Sequence, residues 1–185
     1  MNATGQGEKP QLTIRRATEA DVPDIMQIER ASFPSPWSEW GMRAEITHIR
    51  GRIYLVATLG GKLVAYIGGR RAAGSCHIGT IAVDPTRRHQ GLGEGILLVL
   101  LLHLVEHSTK EVTLEYRTGN TAARRLYQKV GFTHLRTSKG YYRDTGEDAH
   151  EMIISDLHQT QRHQDLTQQW QQWRQRHQYE LEIVL

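Results

Sequence analysis

The stretch from Ile81 to His107 constrains the fold more than any other part of the chain. A short run, Ile81-Ala82-Val83, is stopped by Asp84-Pro85; Arg88-His89-Gln90-Gly91-Leu92-Gly93 follows, and then the apolar run Ile96 to Leu102. Glycines between a strand and a helix permit a tight turn and let the backbone come close to a ligand with its N–H groups outward. The segment from about Gly91 to His107 is apolar around most of its circumference, so the helix it predicts must be covered on more than one side. A strand that feeds a buried helix through a glycine turn is the joint of a layered α/β protein. The apolar run is far shorter than the roughly 20 residues a membrane-spanning helix needs, so no membrane span is expected.

The rest of the chain supplies the other layers. Gln11 to Arg16 alternates as a strand, and Thr18 with Asp21 starts an amphipathic helix to about Arg30 whose Val22, Ile25, Met26 and Glu29 share one side. Ser38 is placed to cap a second helix that carries Trp40, Met42 and Ile46. Ile53 to Leu59 and Lys62 to Gly68 form a hairpin about Gly60-Gly61, and His77 to Val83 is a further strand. Glu111 to Arg117 alternates, with Val112, Leu114 and Tyr116 on one face and Thr113, Glu115 and Arg117 on the other. Ala123, Leu126, Tyr127 and Val130 mark a helix that Gly131 ends. Strands near Thr133 to Arg136 and Ala149 to Leu157 frame a loop containing Tyr141 and Tyr142. The order βααβββαβαββ predicts a mixed α/β layer protein.

A chain of 185 residues has room for one sizeable core. Its expected divisions are a loose tail over residues 1–10, a folded domain over 11–157, and a polar extension over 158–185. In the extension Leu166, Trp170, Trp173 and His177 stand at helical spacing; an added helix and a frayed tail both fit. The single cysteine, Cys76, excludes an internal disulfide and a cysteine-built zinc site, and fits a reducing cytoplasm. A net charge of +3 suits a solvated surface as well as an anionic partner.

A glycine pair alone says only that a phosphate can bind. No Gly-Lys-Ser/Thr follows, and the G-x-G-x-x-G spacing is absent, which argues against a nucleotidase or a dehydrogenase. Ile81-Ala82-Val83-Asp84-Pro85 followed by Arg88-x-x-Gly91-x-Gly93 resembles the motif of the GNAT superfamily of N-acetyltransferases. Phe33-Pro34-Ser35-Pro36-Trp37-Ser38, Leu114-Glu115-Tyr116-Arg117, and Asn120 to Tyr127 with Gly131-Phe132 are similar to elements of its ribosomal-protein-alanine acetyltransferase branch. Tyr141-Tyr142 and Gly146-Glu147-Asp148-Ala149 extend the likeness, which covers about Gln11 to Leu157.

The resemblance implies a GNAT fold, an α/β architecture in which a mixed, mostly antiparallel central sheet is flanked by helices. It implies acetyl-CoA as co-substrate and no metal, with the cofactor held by Ile81, Ala82, Val83, Arg88, His89, Gln90, Gly91, Leu92, Gly93, Glu94 and Asn120. Asn120 would equally serve as a helix N-cap. Glu94 and His89 stand where the family often has basic residues, so Glu94 brings negative charge near a pyrophosphate unless its side chain turns outward. The acceptor implied is the N-terminal α-amine of a protein, a small-subunit ribosomal protein being usual for the branch. Other N-termini, lysines and small amines are alternatives.

An α-amine with a pKa near 8 is mostly protonated at neutral pH, so transfer benefits from a base. The resemblance implies Glu115 for that role and Tyr127 as the acid that protonates the departing thiolate. On pattern alone Glu115 is equally a surface carboxylate, and Tyr127 a core aromatic. A backbone N–H near Val83 is a candidate oxyanion donor. Cys76 lacks an evident base, since adjacent His77 belongs to the opposite strand face, so direct transfer in a ternary complex is expected. Phe33, Pro34, Trp37, Tyr141 and Tyr142 are the expected surroundings of a peptide N-terminus; an aromatic mini-core is the alternative. In the extension Arg162, Trp170, Trp173, Arg174, Arg176 and Tyr179 interleave basic and aromatic groups, which suits either RNA binding or packing on the domain.

Overall fold

The computed structural model describes residues 9–48 and 50–185; the expected tail is outside it except for Lys9 and Pro10. Thirteen elements follow the chain: β1 (Gln11–Arg16), α1 (Val22–Ser32), α2 (Glu39–Thr47), β2 (Arg52–Leu59), β3 (Lys62–Ala72), β4 (Ser75–Val83), α3 (Leu92–Glu106), β5 (Glu111–Arg117), α4 (Thr121–Val130), β6 (Thr133–Tyr142), β7 (Glu147–Ile154), α5 (Thr160–Arg176) and β8 (Glu180–Val184). The eight strands form one sheet in the order β6-β7-β5-β4-β3-β2-β1-β8. Among the described residues only β4–β5 and β1–β8 pair in parallel; the remaining neighbours are antiparallel. This is the mixed, mostly antiparallel α/β sheet expected.

Local chemistry accounts for the element ends. The Thr18 N–H and hydroxyl both donate to Asp21 Oδ2, at 2.7 and 2.9 Å, and fix the turn into α1. Ser38 Oγ accepts from the Gly41 N–H at 3.0 Å and caps α2. Gly60 and Gly61, with φ of +57° and +81°, make the β2–β3 turn, and Gly131 at +107° closes α4.

Strand alternation sends side chains to two cores. Leu55 and Ile67 pack with α3, whereas Val56 and Tyr66 pack with α1 and α2. The all-round apolar character of α3 is explained by its position: the sheet covers one side and α5 another. Trp173, 1% exposed, lies in that core with Leu166. Burying an aromatic side chain of this size contributes roughly 4–6 kcal/mol as an upper bound.

The structure departs from the expected elements in three places. Tyr141 and Tyr142 lie within β6 rather than in a loop: β6 continues to Tyr142 through a register shift after Ser138, with Gly140 at φ +59°. Trp40 is 81% exposed and takes no part in the packing of α2. The extension ends in β8, which pairs with β1 from Gln11↔Glu180 to Arg15↔Val184, a strand the sequence reading did not anticipate.

Candidate active site

β4 and β5 pair only from Ser75↔Glu111 to Ile78↔Leu114. Beyond that point β4 runs on through Val83 and β5 through Arg117 without a ladder between them, so the sheet opens into a cleft. Backbone groups of Gly79 to Val83 that face β5 are left free to bind an extended chain. Ile81, Ala82 and Val83 form the β4 wall, and Glu115 is the first residue past the last pair on the β5 wall.

At one end of the cleft stands the loop from Arg88 to Glu94. His89 and Gly91 adopt φ of +64° and +77°, and Gly91 is the N-cap of α3. The N–H groups of Gly91, Leu92, Gly93 and Glu94 meet no acceptor among the described residues. Four such donors at a helix N-terminus suit a pyrophosphate. A Cβ on Gly93 would come within 3.3 Å of Val83 Cγ2 and 3.8 Å of Leu126, so glycine lets the loop sit between β4 and α4. The Arg88 guanidinium turns back, with Nη2 donating to Ser32 Oγ at 3.1 Å. Leu92 is buried and anchors the loop to the core. Glu94 turns to Lys129 Nζ at 2.7 Å and Arg176 Nη2 at 2.9 Å, so two cations offset its charge. Asn120 Oδ1 accepts from the Ala123 N–H at 3.0 Å and caps α4.

Glu115, with its side chain 17% exposed, is paired with His77, Nε2 to Oε2 3.2 Å. The other imidazole nitrogen, Nδ1, is 3.1 Å from Thr113 Oγ1. Burial pushes the Glu115 carboxyl above the ordinary glutamate range; His77 draws it back, Glu151 opposite raises it again, and Arg136 lowers it. Tyr127 belongs to the other face of the sheet, its ring 5.7 Å from Tyr116 and 5.9 Å from Phe132. Burial, then the Tyr142 and Tyr116 hydroxyls, hold its phenol protonated well above the ordinary range. Cys76 is buried, and burial pushes its thiol up to about 12, which leaves almost no thiolate at neutral pH.

The expected aromatic set lies in two segments, Phe33, Pro34 and Trp37 between α1 and α2, and Tyr141 and Tyr142 at the end of β6. Phe33 ends α1 in extended conformation and is partly buried against the α1–α2 core, while Pro34 and Trp37 are exposed. The Trp37 N–H donates to Glu29 Oε1 at 3.0 Å. Glu29 Oε2 accepts from the Tyr66 hydroxyl, which lies 3.0 Å from Thr80 Oγ1 on the β4 wall. Tyr141 and Tyr142 stack edge to face at 5.1 Å, and Arg117 sits 3.9 Å above the Tyr142 ring. Arg117 Nη2 donates to Asp144 Oδ2 at 2.6 Å. That bond foremost holds Asp144 below the usual carboxylate range.

Two residues of this arrangement were missed in the sequence. Glu29 announced itself as the one carboxylate on the apolar side of α1. His77 shares the Glu115 face by alternation, but its strand is paired with β5 only through a parallel register that no local pattern reveals. A His103, Glu106 and His107 cluster at the other end of α3 brings three donor atoms within 4.8 Å of one another. Arg16 Nη2 lies 3.4 Å from His103 Nε2, and the Arg71 guanidinium donates to the His107 carbonyl at 2.8 Å, so cations crowd that group. No helix among the described residues is long and apolar enough to cross a membrane.

The family model described as the acetyltransferase (GNAT) family matches residues 22–132, from α1 through the end of α4. N-alpha-acetyltransferase RimI of Mycobacterium tuberculosis is 34% identical over 148 residues, covering 76% of this chain and 90% of that protein. The [ribosomal protein bS18]-alanine N-acetyltransferase of Escherichia coli K12 is 32% identical over 141 residues, covering 74% and 93%. The crystal structure of the ribosomal-protein-S18-alanine N-acetyltransferase from Escherichia coli superposes with a TM-score of 0.73 at 29% identity, over 78% of this chain and 93% of that one. Arabidopsis thaliana NAA60 in complex with acetyl-CoA shares the fold, with a TM-score of 0.70 at 16% identity over 78% and 98%.

Proposed function

Since the chain belongs to the GNAT acetyltransferase family, we propose that this acetyl-CoA-dependent N-acetyltransferase modifies the N-terminal α-amine of a protein, an alanine of a small-subunit ribosomal protein being the leading acceptor. The observation that carries the proposal is the cleft between β4 and β5, which has unpartnered loop amides at one end and Glu115 just past the last paired residue on its β5 wall. Residues 11–157 are read as the catalytic unit and 158–185 as its extension, working in the cytoplasm.

In this reading the amides of Gly91 to Glu94 hold the pyrophosphate, with Arg88, His89 and Gln90 shaping the loop. Ile81, Ala82 and Val83 pair with the pantetheine arm, and Asn120 adds a contact beside α4. Phe33, Pro34, Trp37, Tyr141 and Tyr142 receive the peptide N-terminus. The raised Glu115 carboxylate takes the proton from the amine, directly or through water, and His77 orients it. The amine nitrogen bonds to the thioester carbonyl carbon, the carbon–sulfur bond breaks, and Tyr127 gives its proton to the departing thiolate. The buried Cys76 supports direct transfer over an acetyl-enzyme, so double-reciprocal initial-rate plots should intersect rather than run parallel.

The test is mass spectrometry of a peptide panel incubated with acetyl-CoA, comparing wild type with Glu115→Gln and Tyr127→Phe. Acetylation is expected at peptide N-termini, and folded variants should lose turnover by about 10²- to 10⁴-fold. Acetylation confined to lysine side chains sinks the N-terminal assignment, and full turnover in both variants sinks the residue roles.

A further inference from the structure

Residues 160–184 press on the back of the loop whose front carries the free amides. The Tyr179 hydroxyl donates to the Gln90 carbonyl at 3.2 Å, and Trp173 Nε1 donates to the Gly91 carbonyl at 2.9 Å. In a trans peptide the C=O and the following N–H point in opposite directions. Holding the Gln90 carbonyl on Tyr179 therefore aims the Gly91 N–H away from the extension, and Trp173 joins the Gly95 N–H, 2.9 Å from the same oxygen, in fixing the Gly91 carbonyl and with it the Leu92 N–H. These are two of the four amides without an acceptor.

Packing repeats the pattern. A Cβ on Gly91 would lie 2.1 Å from His177 Nε2, and one on Gly95 would lie 2.6 Å from Trp173 Cζ2. Gly91 in the loop and Gly95 in α3 thus leave their backs bare for aromatic rings, which stack on one another: Trp173 on His177 at 4.8 Å and Trp173 on Tyr179 at 5.9 Å. His89 is held at φ +64°, a conformation that costs a non-glycine residue free energy and persists where its surroundings impose it. Arg176 brings a further charge to Glu94 at 2.9 Å, offsetting a carboxylate in the first turn of an anion-binding helix. The family model stops at residue 132, so it includes the loop and none of the groups that back it.

We propose that the extension is a positioning device for the cofactor loop, in which Tyr179 and Trp173 pre-set the amides that hold the acetyl-CoA pyrophosphate. The proposal rests on the reading of the loop given above. The two residues touch no reacting atom and act through Gln90 and Gly91. With the loop already set, less of the binding free energy goes into ordering it, so their effect falls on cofactor affinity and leaves the chemical step alone.

Tyr179→Phe and Trp173→Phe each remove one donor and keep a ring, and Gln175→Ala alters an exposed residue of α5 that makes no hydrogen bond to the loop. Initial rates should show the acetyl-CoA KM raised about three- to tenfold in both phenylalanine variants, with kcat at saturating acetyl-CoA, the peptide KM and Gln175→Ala unchanged. Calorimetric titration with CoA should show the same loss in Kd. Wild-type KM and Kd for the cofactor in half-exposed Tyr179→Phe, with Tm retained, overturn the proposal. So does a joint fall of kcat and rise of both KM values that tracks Tm, which assigns the residues to general support. If the wild-type chain takes up no CoA in calorimetry, the reading of the loop fails along with the proposal.

Discussion

Replacing Gly91 with alanine should cost the protein about 2–3 kcal/mol, and part of that cost should vanish when His177 is removed first. Gly91 sits at φ +77°, where a Cβ costs roughly 1–2 kcal/mol by itself. The same Cβ would also meet His177 Nε2 at 2.1 Å and Cε1 at 2.6 Å. The imidazole cannot simply swing aside, because Nδ1 is bonded to the Trp173 carbonyl at 2.9 Å and the ring is stacked on the indole. Breaking that bond adds about 1 kcal/mol. For a chain of this size 1 kcal/mol moves Tm by about 2–4 °C, so Gly91→Ala should lower Tm by roughly 4–12 °C. In a His177→Ala background only the backbone strain remains, and the same change should cost roughly 2–8 °C. Thermal unfolding of the four proteins of this cycle by circular dichroism gives the coupling directly, expected at about 1 kcal/mol. Equal losses in the two backgrounds would mean that the imidazole does not lie against Gly91, and the docking of the extension on the loop would be refuted.

Three further outcomes follow from the site and the fold. Glu115 works ionised and its carboxyl is raised by burial, so kcat/KM should fall as pH drops through a value above the ordinary glutamate range. Since His77 draws that carboxyl down, His77→Asn should move the acid limb to higher pH; a limb that stays put or moves lower contradicts the pairing. Burial tends to raise Asp21, but bonds from Arg15 and Thr18 outweigh it and leave it below the ordinary range. Its contribution is therefore present above the unfolded pKa of about 3.9 and is lost as pH falls through the lower folded value, so Asp21→Asn should cost about 1 kcal/mol in denaturant melts at pH 7 and progressively less in acid. Glu29→Ala releases the Trp37 N–H and should raise the peptide KM roughly tenfold with a smaller change in the acetyl-CoA KM; equal changes in steady-state assays would count against a role of that loop in the acceptor site.

The parts of this molecule that local rules govern were legible in the sequence. β5 alternates cleanly because one face is buried, and α4 begins and ends at residues with evident capping chemistry, Asn120 and Gly131. The strand-loop-helix joint at Arg88 to Glu94 and the elements that carry Glu115 and Tyr127 were legible through the order of motifs rather than through any one of them. Tyr141 and Tyr142 were misread as loop because β6 is an edge strand whose exposed residues show no alternation and whose register shifts after Ser138. β8 was invisible for a related reason: it is five residues long, and its partner β1 lies at the other end of the described chain. Helical spacing announced α5, but what α5 covers depends on tertiary packing, which no spacing encodes. The same limit hid the fate of Glu94, whose charge is met by Lys129 and Arg176, from separate helices.

Gly91 and the indole that backs it are 82 residues apart in the chain. At elongation rates of about 5–20 residues per second, the loop is made roughly 4–16 s before Trp173. Hairpins close within microseconds, so strands β1 to β4 have ample time to assemble around a loop that still lacks its backing. If the extension sets the loop, a nascent or prematurely terminated chain can acquire the catalytic cleft and still hold acetyl-CoA poorly. Full competence then arrives only when translation has passed Tyr179, which makes the timing of synthesis a determinant of when the enzyme switches on.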